Sequence, residues 1–378
     1  MKRVIIIGGR EIIIEALGQP IDKAFDQLHA AYFGNTPLPW EDFEAAALQF
    51  FDNNPRDWTA HDNYFTAFTI IWSSIRDTGR YDHAEHIWKR ALEPALRWEG
   101  ARGQRIHKGS PYYFWAMTAL MRGDIDQGYL LAHQAVDEDV LTSGPRATDL
   151  PGYALVSLND EKVEQAFRQW VIAQADFVKA LVTDYRTSHV RQLTFDEVKL
   201  RFFRRPPSTE VLFLLTYTLA RLMDLKKLPD HTVRNPFAGQ LELNILFDIA
   251  LVIEESVKKV AVGDPAIAAR NPAGWTFIYV AEYLLDRAGI VMTNNQLGNI
   301  NRQFGNFDPT LQAALNGSLE EPAGTRLTRL ECDVALAYGV RNRGGHNTGS
   351  TPTIWNRFEE VRNALFRVLF ATIDYLYP

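Results

Sequence analysis

Apolar residues recur along most of this chain at spacings of three and four, which is the pattern of amphipathic α-helices. This periodicity predicts helices over residues 21–34, 41–53, 61–78, 81–98, 111–122, 125–138, 160–185, 208–226, 241–261, 274–289, 293–304, 308–316, 325–340 and 355–377. Near the N-terminus the pattern differs, because residues 4–14 read VIIIGGREIII, two β-branched runs around Gly8 and Gly9. We predict an all-α fold with one short β-hairpin at residues 4–14.

An alternative for residues 4–14 is a strand and glycine turn that open a nucleotide-binding unit. Such a unit needs a third spaced glycine and a following alternation of strands and helices. Neither feature is present in the sequence. The hairpin is therefore the favoured interpretation.

Two segments of the N-terminal half align on each other without gaps. Residues 79–92 (GRYDHAEHIWKRAL) match residues 123–136 (GDIDQGYLLAHQAV). A glycine opens each copy, and small residues recur at matching positions: Ala84 with Gly128, and Ala91 with Ala135. The pattern resembles the second helix of a tetratricopeptide (TPR) hairpin. The resemblance implies an array of helical hairpins that senses a protein or nucleotide trigger, or that serves as a scaffold without a ligand.

A polar, proline-containing stretch, 229–240 (PDHTVRNPFAGQ), is the best candidate for a domain boundary. It separates a TPR-like domain, residues 1–235, from a C-terminal helical bundle, residues 236–378. Within the first domain, residues 199–207 (KLRFFRRPP) interleave arginine with phenylalanine. Such a run could clamp single-stranded RNA, or it could be a helix end whose Phe residues enter the core while the Arg residues stay in water.

Composition limits the classes of function. The 378 residues are 46% hydrophobic and 23% charged, with a net charge of −6, so a nucleic-acid site would have to be a local patch. The single cysteine, Cys332, excludes a disulfide framework and a Cys-rich metal site, and we expect it to be a core residue. No apolar run reaches the length of a membrane span, so we expect a cytoplasmic protein without membrane contact.

The segment 327–349 (LTRLECDVALAYGVRNRGGHNTG) carries the candidate chemistry. It begins as an apolar-periodic helix and ends with Arg341, Asn342 and His346 around a Gly344–Gly345 pair. Because paired glycines disfavour helix and permit positive φ, we expect the helix to end there. A turn at the glycines would bring His346 back beside Arg341, whereas a continued helix would place the two about 140° apart.

This R-N-x-x-x-H segment, which precedes a long amphipathic helix in a C-terminal helical block, resembles the signature of the HEPN superfamily. The resemblance covers roughly residues 241–378. It implies a HEPN bundle that forms a homodimer and acts as a metal-independent endoribonuclease without a cofactor, in the manner of toxin or anti-phage effectors. Members paired with a nucleotidyltransferase antitoxin often carry a modified tyrosine two residues after the histidine. This chain has Thr348 there.

The residue types suit RNA cleavage by attack of the 2′-hydroxyl on the adjacent phosphorus. His346 can act as base or acid near neutral pH, and Arg341 can stabilise charge on two phosphate oxygens. Asn342 could orient either group, and we expect Arg343 and Tyr338 to contact substrate. One histidine cannot easily be both base and acid. The resemblance implies that two copies together supply both roles.

Two other interpretations remain. Arginine in the last turn of a helix is favourable because of the helix dipole alone, so the bundle could be a non-catalytic adaptor that dimerises and binds RNA or protein. Elsewhere, His83 and His86 have the spacing of two zinc ligands, but no second pair accompanies them, and we predict no metal site. Glu254 and Glu255 precede Lys258 and Lys259 by four residues, which predicts a solvated helix face.

Overall fold

The chain is all-α apart from one β-hairpin and a single bridge between Glu320 and Arg326, within the residues that the computed structural model describes: 3–7, 10–163, 165–225, 236–322, 324–346 and 351–377. The hairpin pairs β1 (Arg3–Ile7) antiparallel with β2 (Arg10–Ile14). The predicted hairpin is confirmed, although the Gly8–Gly9 turn lies outside the described residues. An antiparallel strand follows β1 instead of a helix, so the nucleotide-binding alternative is wrong.

The chain forms two compact units, Met1–Ile172 and Ala173–Pro378. The described part of the first unit contains the hairpin, eight helices and the start of a ninth: α1 (Ile21–Phe33), α2 (Trp40–Asn53), α3 (Trp58–Ala67), α4 (Thr69–Thr78), α5 (Tyr81–Arg102), α6 (Gly109–Arg122), α7 (Ile125–Ser143), α8 (Pro151–Val156) and α9 (Gln165–His189). Its core is rich in aromatic rings. The ring centroids of Phe25, Phe43 and Phe68 lie 4.9, 5.0 and 5.3 Å apart.

The sequence repeat corresponds to two helical hairpins, α4–α5 and α6–α7. Gly79 and Gly123 end the first helix of each pair with φ of 69° and 86°, a left-handed conformation that favours glycine, and the next helix begins two residues later. At Gly128 a Cβ atom would lie 2.5 Å from the side chain of Leu120, so only glycine permits this approach of α7 to α6. The repeated small residues therefore mark close helix packing.

Among the described residues, the second unit contains the rest of α9 and nine further helices: α10 (Phe195–Val198), α11 (Thr209–Leu225), α12 (Pro236–Val262), α13 (Phe277–Arg287), α14 (Asn294–Gln303), α15 (Phe307–Leu315), α16 (Arg329–His346), α17 (Pro352–Asn356) and α18 (Phe358–Leu376). Helices α12, α16 and α18 pack against one another at its centre. Almost every residue of α18 from Val361 to Ile373 is buried, as expected for a helix surrounded by others. No helix in the described ranges is both long and apolar enough to cross a membrane.

The predicted domain boundary after residue 235 stays a prediction, because residues 226–235 lie outside the described residues. Packing divides the chain earlier, after Ile172 and within α9. Consequently α10 and α11 belong to the same compact unit as the helices from α12 to α18. The described C-terminal unit is therefore larger than the bundle predicted for residues 236–378.

The run of arginine and phenylalanine at residues 199–207 is a helix end. Lys199–Phe203 form a π-helical turn that continues α10, and Phe202 and Phe203 are fully buried in it. Arg204 and Arg205 are exposed. The interpretation as a core-anchored helix end is confirmed. The RNA clamp is wrong, because buried rings cannot stack on bases.

Candidate functional site

Helix α16 does not end at its paired glycines but continues to His346. At Gly344 a Cβ atom would lie 2.6 Å from the ring of Phe247 on α12, and at Gly339 it would lie 2.4 Å from the ring of Phe304. These glycines therefore permit two aromatic rings to pack directly on the helix backbone. The expected helix exit is wrong, because packing against neighbouring helices compensates for the low helix propensity of glycine.

The continued helix decides how the two motif residues are placed within one chain. His346 follows Arg341 by five positions, which places the two residues about 140° apart around the helix axis. The turn that would have brought His346 back to Arg341 is absent. The side chain of His346 lies outside the described residues.

A buried carboxylate holds Arg341 in place. The Nε of Arg341 donates a hydrogen bond of 2.8 Å to Oε2 of Glu254 on α12. Glu254 is only 2% exposed, whereas the Arg341 side chain is 28% exposed. Neither terminal guanidinium nitrogen of Arg341 bonds to another described residue. The arginine thus has one nitrogen fixed by Glu254 and two nitrogens without a partner among the described residues.

Glu254 also accepts a hydrogen bond of 2.6 Å from Lys258, whose ammonium reaches Glu255 at 3.0 Å. Burial opposes the charge on Lys258, but the hydrogen bonds to both glutamates outweigh this effect and raise its pKa. Two cations and two carboxylates therefore balance beside α16. The described residues of the site thus carry no large excess of positive charge.

Asn342 and Tyr338 accompany Arg341. The Asn342 side-chain amide donates a hydrogen bond of 3.2 Å to Oδ1 of Asn301 on α14. The Tyr338 ring stacks on Phe277 of α13, with centroids 5.6 Å apart. Burial raises the pKa of the Tyr338 hydroxyl, while a hydrogen bond with Asn342 and the charge of Arg341 act in the opposite direction. Tyr338, Arg341 and Asn342 therefore form one polar group near the end of α16.

Arg343 is directed to a different neighbour. Its guanidinium lies over the ring of Phe307 on α15, 4.7 Å from the centroid, in a cation–π contact. The consecutive residues Arg341, Asn342 and Arg343 thus contact three different helices: α12, α14 and α15. The structure groups Tyr338 and Asn342 with Arg341, and it places the Arg343 guanidinium on a separate ring.

Sequence reasoning missed the buried partner Glu254. The solvated face predicted for Glu254, Glu255, Lys258 and Lys259 is confirmed for exposed Lys259 and for Glu255, whose side chain is 43% exposed, and is wrong for Glu254, which is buried. A signal was available in the sequence. Glu254 stands at i+4 from Ala250 and at i−3 from Val257, both fully buried, so it lies on the apolar stripe of α12. A carboxylate on such a stripe requires a buried cation as its partner.

His83 and His86 are exposed on α5, and no group of three or more His, Cys, Asp or Glu side chains suited to a metal ion occurs among the residues that the structure describes. In comparisons with known proteins, no family model, no curated protein and no solved structure matches the chain.

Proposed function

We propose that the protein is a HEPN-type endoribonuclease whose site is built around Arg341 and His346, with a toxin-like or anti-phage role. The observation that carries this proposal is the anchoring of Arg341. Its Nε is bound to buried Glu254 while its two terminal nitrogens have no partner among the described residues. An arginine fixed in this way can donate two parallel hydrogen bonds to a phosphate, and this is the geometry that phosphate recognition favours.

In the proposed reaction the 2′-hydroxyl attacks the adjacent phosphorus, and the bond from phosphorus to the 5′-oxygen breaks. A base removes the proton of the 2′-hydroxyl, and an acid gives a proton to the leaving 5′-oxygen. The products are a 2′,3′-cyclic phosphate and a 5′-hydroxyl. Arg341 stabilises the charge that develops on the phosphorane oxygens. Asn342 and Tyr338 position the phosphate beside it.

His346 provides the proton transfer in this proposal, because its intrinsic pKa lies near neutrality. The helical separation of about 140° in one chain favours a composite site. In such a site Arg341 of one copy and His346 of another flank the same phosphate, and two histidines share the roles of base and acid. We therefore propose a homodimer formed through the helices around α16.

The decisive experiment uses 5′-labelled RNA, EDTA and purified full-length protein. We expect cutting by the wild type and its loss in His346→Ala and in Arg341→Lys. The lysine variant keeps a cation for buried Glu254 but loses the planar fork of donors. Exposed His83 and Arg302 provide the matched controls, His83→Ala and Arg302→Lys, which should cut normally. Cutting that survives in both site variants would refute the proposed site.

A second function is favoured by the helical continuation of α16 and by the engagement of Arg341, Asn342 and Arg343 with three neighbouring helices. In this alternative the bundle is a non-catalytic adaptor that dimerises and binds RNA or protein. Light scattering and RNA gel shifts separate the two functions. Binding and dimerisation without cleavage would support the adaptor, whereas a strict monomer would contradict both.

A further inference from the structure

A second group of ionisable side chains lies in the first unit, where the connecting segment (residues 103–108, between α5 and α6) meets α3 and α7. At its centre the His107 ring is almost completely buried. Its Nε2 lies 3.4 Å from Oδ1 of Asp62 on α3 and 3.5 Å from Oδ1 of Asp139 on α7. Two carboxylates from different helices thus face one nitrogen of one imidazole.

The Nδ1 side of the His107 ring faces Thr142 on α7, and the tautomer of the ring depends on where the Thr142 proton lies. Nδ1 of His107 lies 2.9 Å from the hydroxyl oxygen of Thr142, and that hydroxyl also lies 3.0 Å from the backbone carbonyl of Glu138. A hydroxyl has one proton, and a carbonyl can only accept. When that proton goes to the carbonyl, the Thr142 oxygen accepts from Nδ1–H of His107; when it goes to Nδ1, the neutral ring carries its proton on Nε2 and donates toward the carboxylates.

Nε2 then faces the two carboxylates. A neutral imidazole with Nδ1 protonated would direct a lone pair at Asp62 and Asp139, which would be repulsive. One additional proton removes this conflict, whether it is on Nε2 of His107 or on Asp139. In either tautomer the two carboxylates share at most one Nε2–H, so the arrangement favours protonation of buried Asp139.

The surrounding structure is fitted closely around Asp139. A Cβ atom at residue 109 would lie 2.0 Å from Oδ1 of Asp139, so the glycine there makes room for the carboxylate. Asp62, at 46% side-chain exposure, connects the group to solvent and also accepts a hydrogen bond of 2.7 Å from Ser110. Protons can thus exchange with water through Asp62, while His107 and Asp139 stay buried.

Other charges act on the same proton. The titratable and charged groups on the elements packed around His107 and Asp139 are His61 on α3, Glu99 on α5, Arg105 and Lys108 in the connecting segment, Tyr112 on α6, Glu138 on α7 and Tyr153 on α8. Arg105 and Lys108 both pair with buried Glu138, and Lys108 also pairs with Glu99. The cations are thus engaged with other carboxylates, and Asp139 has no lysine or arginine partner in the described part of the chain.

We propose that His107, Asp62 and Asp139 form a buried proton-binding site that joins the connecting segment to α3 and α7 and loosens this junction when its proton leaves. The site acts as a pH-sensitive element of the first unit. It goes beyond the proposed RNA chemistry and does not rest on it. Loss of the proton leaves the charged carboxylates of Asp62 and Asp139 both facing Nε2 of His107.

The electrostatics agree with this assignment. Burial raises the pKa of Asp139 to about 7, against the opposing charge of His107. Burial alone would lower the pKa of His107, but the hydrogen bond and charge of Asp62, with the charge of Asp139, outweigh it and raise the pKa. Both pKa values are higher in the folded than in the unfolded chain. Their stabilising contribution is therefore present at acidic pH and is lost as the pH rises toward about 7.

The test follows hydrogen exchange of the full-length protein between pH 5 and 8, corrected for intrinsic exchange rates and referenced to peptides of α1 and α2. When the segment opens, Asp139 returns to the ordinary pKa of aspartate, about 4, and releases its proton, so the opening equilibrium constant of the connecting segment should rise by up to about tenfold per pH unit until roughly pH 7. Asp139→Asn should abolish this rise. The matched control Asp137→Asn, on the exposed face of the same helix, should retain it.

His107→Gln provides a second measurement. Because the His107 charge lowers the pKa of Asp139, this variant should move the midpoint of the response to higher pH. A merely structural role for His107 would change stability without moving the midpoint. A wild-type response that persists in Asp139→Asn, a wild type without any response, or an unmoved midpoint in His107→Gln would each overturn the proposal.

Discussion

Substitution of Asp333 on α16 by asparagine should strongly destabilise the second unit although it hardly changes the shape of the side chain. Its carboxylate is fully buried and accepts hydrogen bonds of 2.6 and 2.9 Å from Nε and Nη2 of Arg367 on α18. Nε2 of His189 lies 3.1 Å away, and Arg329 forms an ion pair at 3.3 Å. Asp333→Asn keeps the volume of the side chain but removes the charge and directs an amide donor at these donors.

The size of the expected loss in stability follows from the contacts that Arg367 would retain in this variant. Arg367 is almost completely buried, and Asp184, at 2.9 Å, would be the one counter-ion left to it among the described residues. Removing one partner of a buried, hydrogen-bonded ion pair typically costs about 3–5 kcal/mol, because the other charge stays desolvated. We expect a loss of this size in the free energy of unfolding of the second unit. Glu360→Gln, which breaks the exposed pair with Arg357 (2.6 Å), should cost at most about 1 kcal/mol.

Hydrogen exchange of peptides from α16 and α18 measures this loss in the full chain, because it reports the opening of the second unit separately from the first. The loss should also depend on pH. Burial opposes ionisation of Asp333, but hydrogen bonds from Arg367 and His189 outweigh it and hold the pKa below its usual range. The carboxylate thus stabilises the fold above about pH 4, the ordinary pKa of aspartate, and this contribution disappears as the pH falls through the lowered pKa. A cost below about 1 kcal/mol at pH 7, or an equal cost at pH 7 and pH 3, would contradict this reasoning.

Three further predictions concern packing. Gly339→Ala should destabilise the protein by about 1–3 kcal/mol in urea unfolding, because the new methyl group would meet the Phe304 ring at 2.4 Å. This loss is expected despite the better helix propensity of alanine. A stabilised variant would show that the ring moves aside at little cost. Cys332 should react with a thiol reagent only after unfolding, because burial raises the pKa of its thiol to about 11, and rapid labelling of the native protein would contradict this. Phe202→Ala should cost about 3–5 kcal/mol by the same unfolding measurement, whereas Arg204→Ala, at an exposed position, should cost at most about 0.5 kcal/mol. Similar losses in the two variants would refute the assignment of residues 199–207 as a core-anchored helix end.

Local pattern determined much of the fold. Apolar periodicity predicted α1, α2, α12 and α18 to within a few residues, because each of these helices buries one clear stripe or is apolar over most of its surface. The glycines that open the two repeat copies marked helix ends correctly at Gly79 and Gly123, where a positive φ is required. In these places the local conformational preference and the tertiary structure agree.

The tertiary structure alone decided the outcome at Gly344 and Glu254. Paired glycines predict a helix end by local propensity, but a free-energy difference of about 1 kcal/mol per glycine is outweighed when an aromatic ring packs on the exposed backbone. Nothing local identifies Phe247, almost a hundred residues earlier, as that ring. In the same way the Glu254–Lys258 spacing describes a helix surface, whereas burial of Glu254 against Arg341 depends on the packing of α12 beside α16. The sequence thus determined which residues carry charge and which faces are apolar, and long-range packing determined which charges meet, because burial and its desolvation cost arise only when distant helices come into contact.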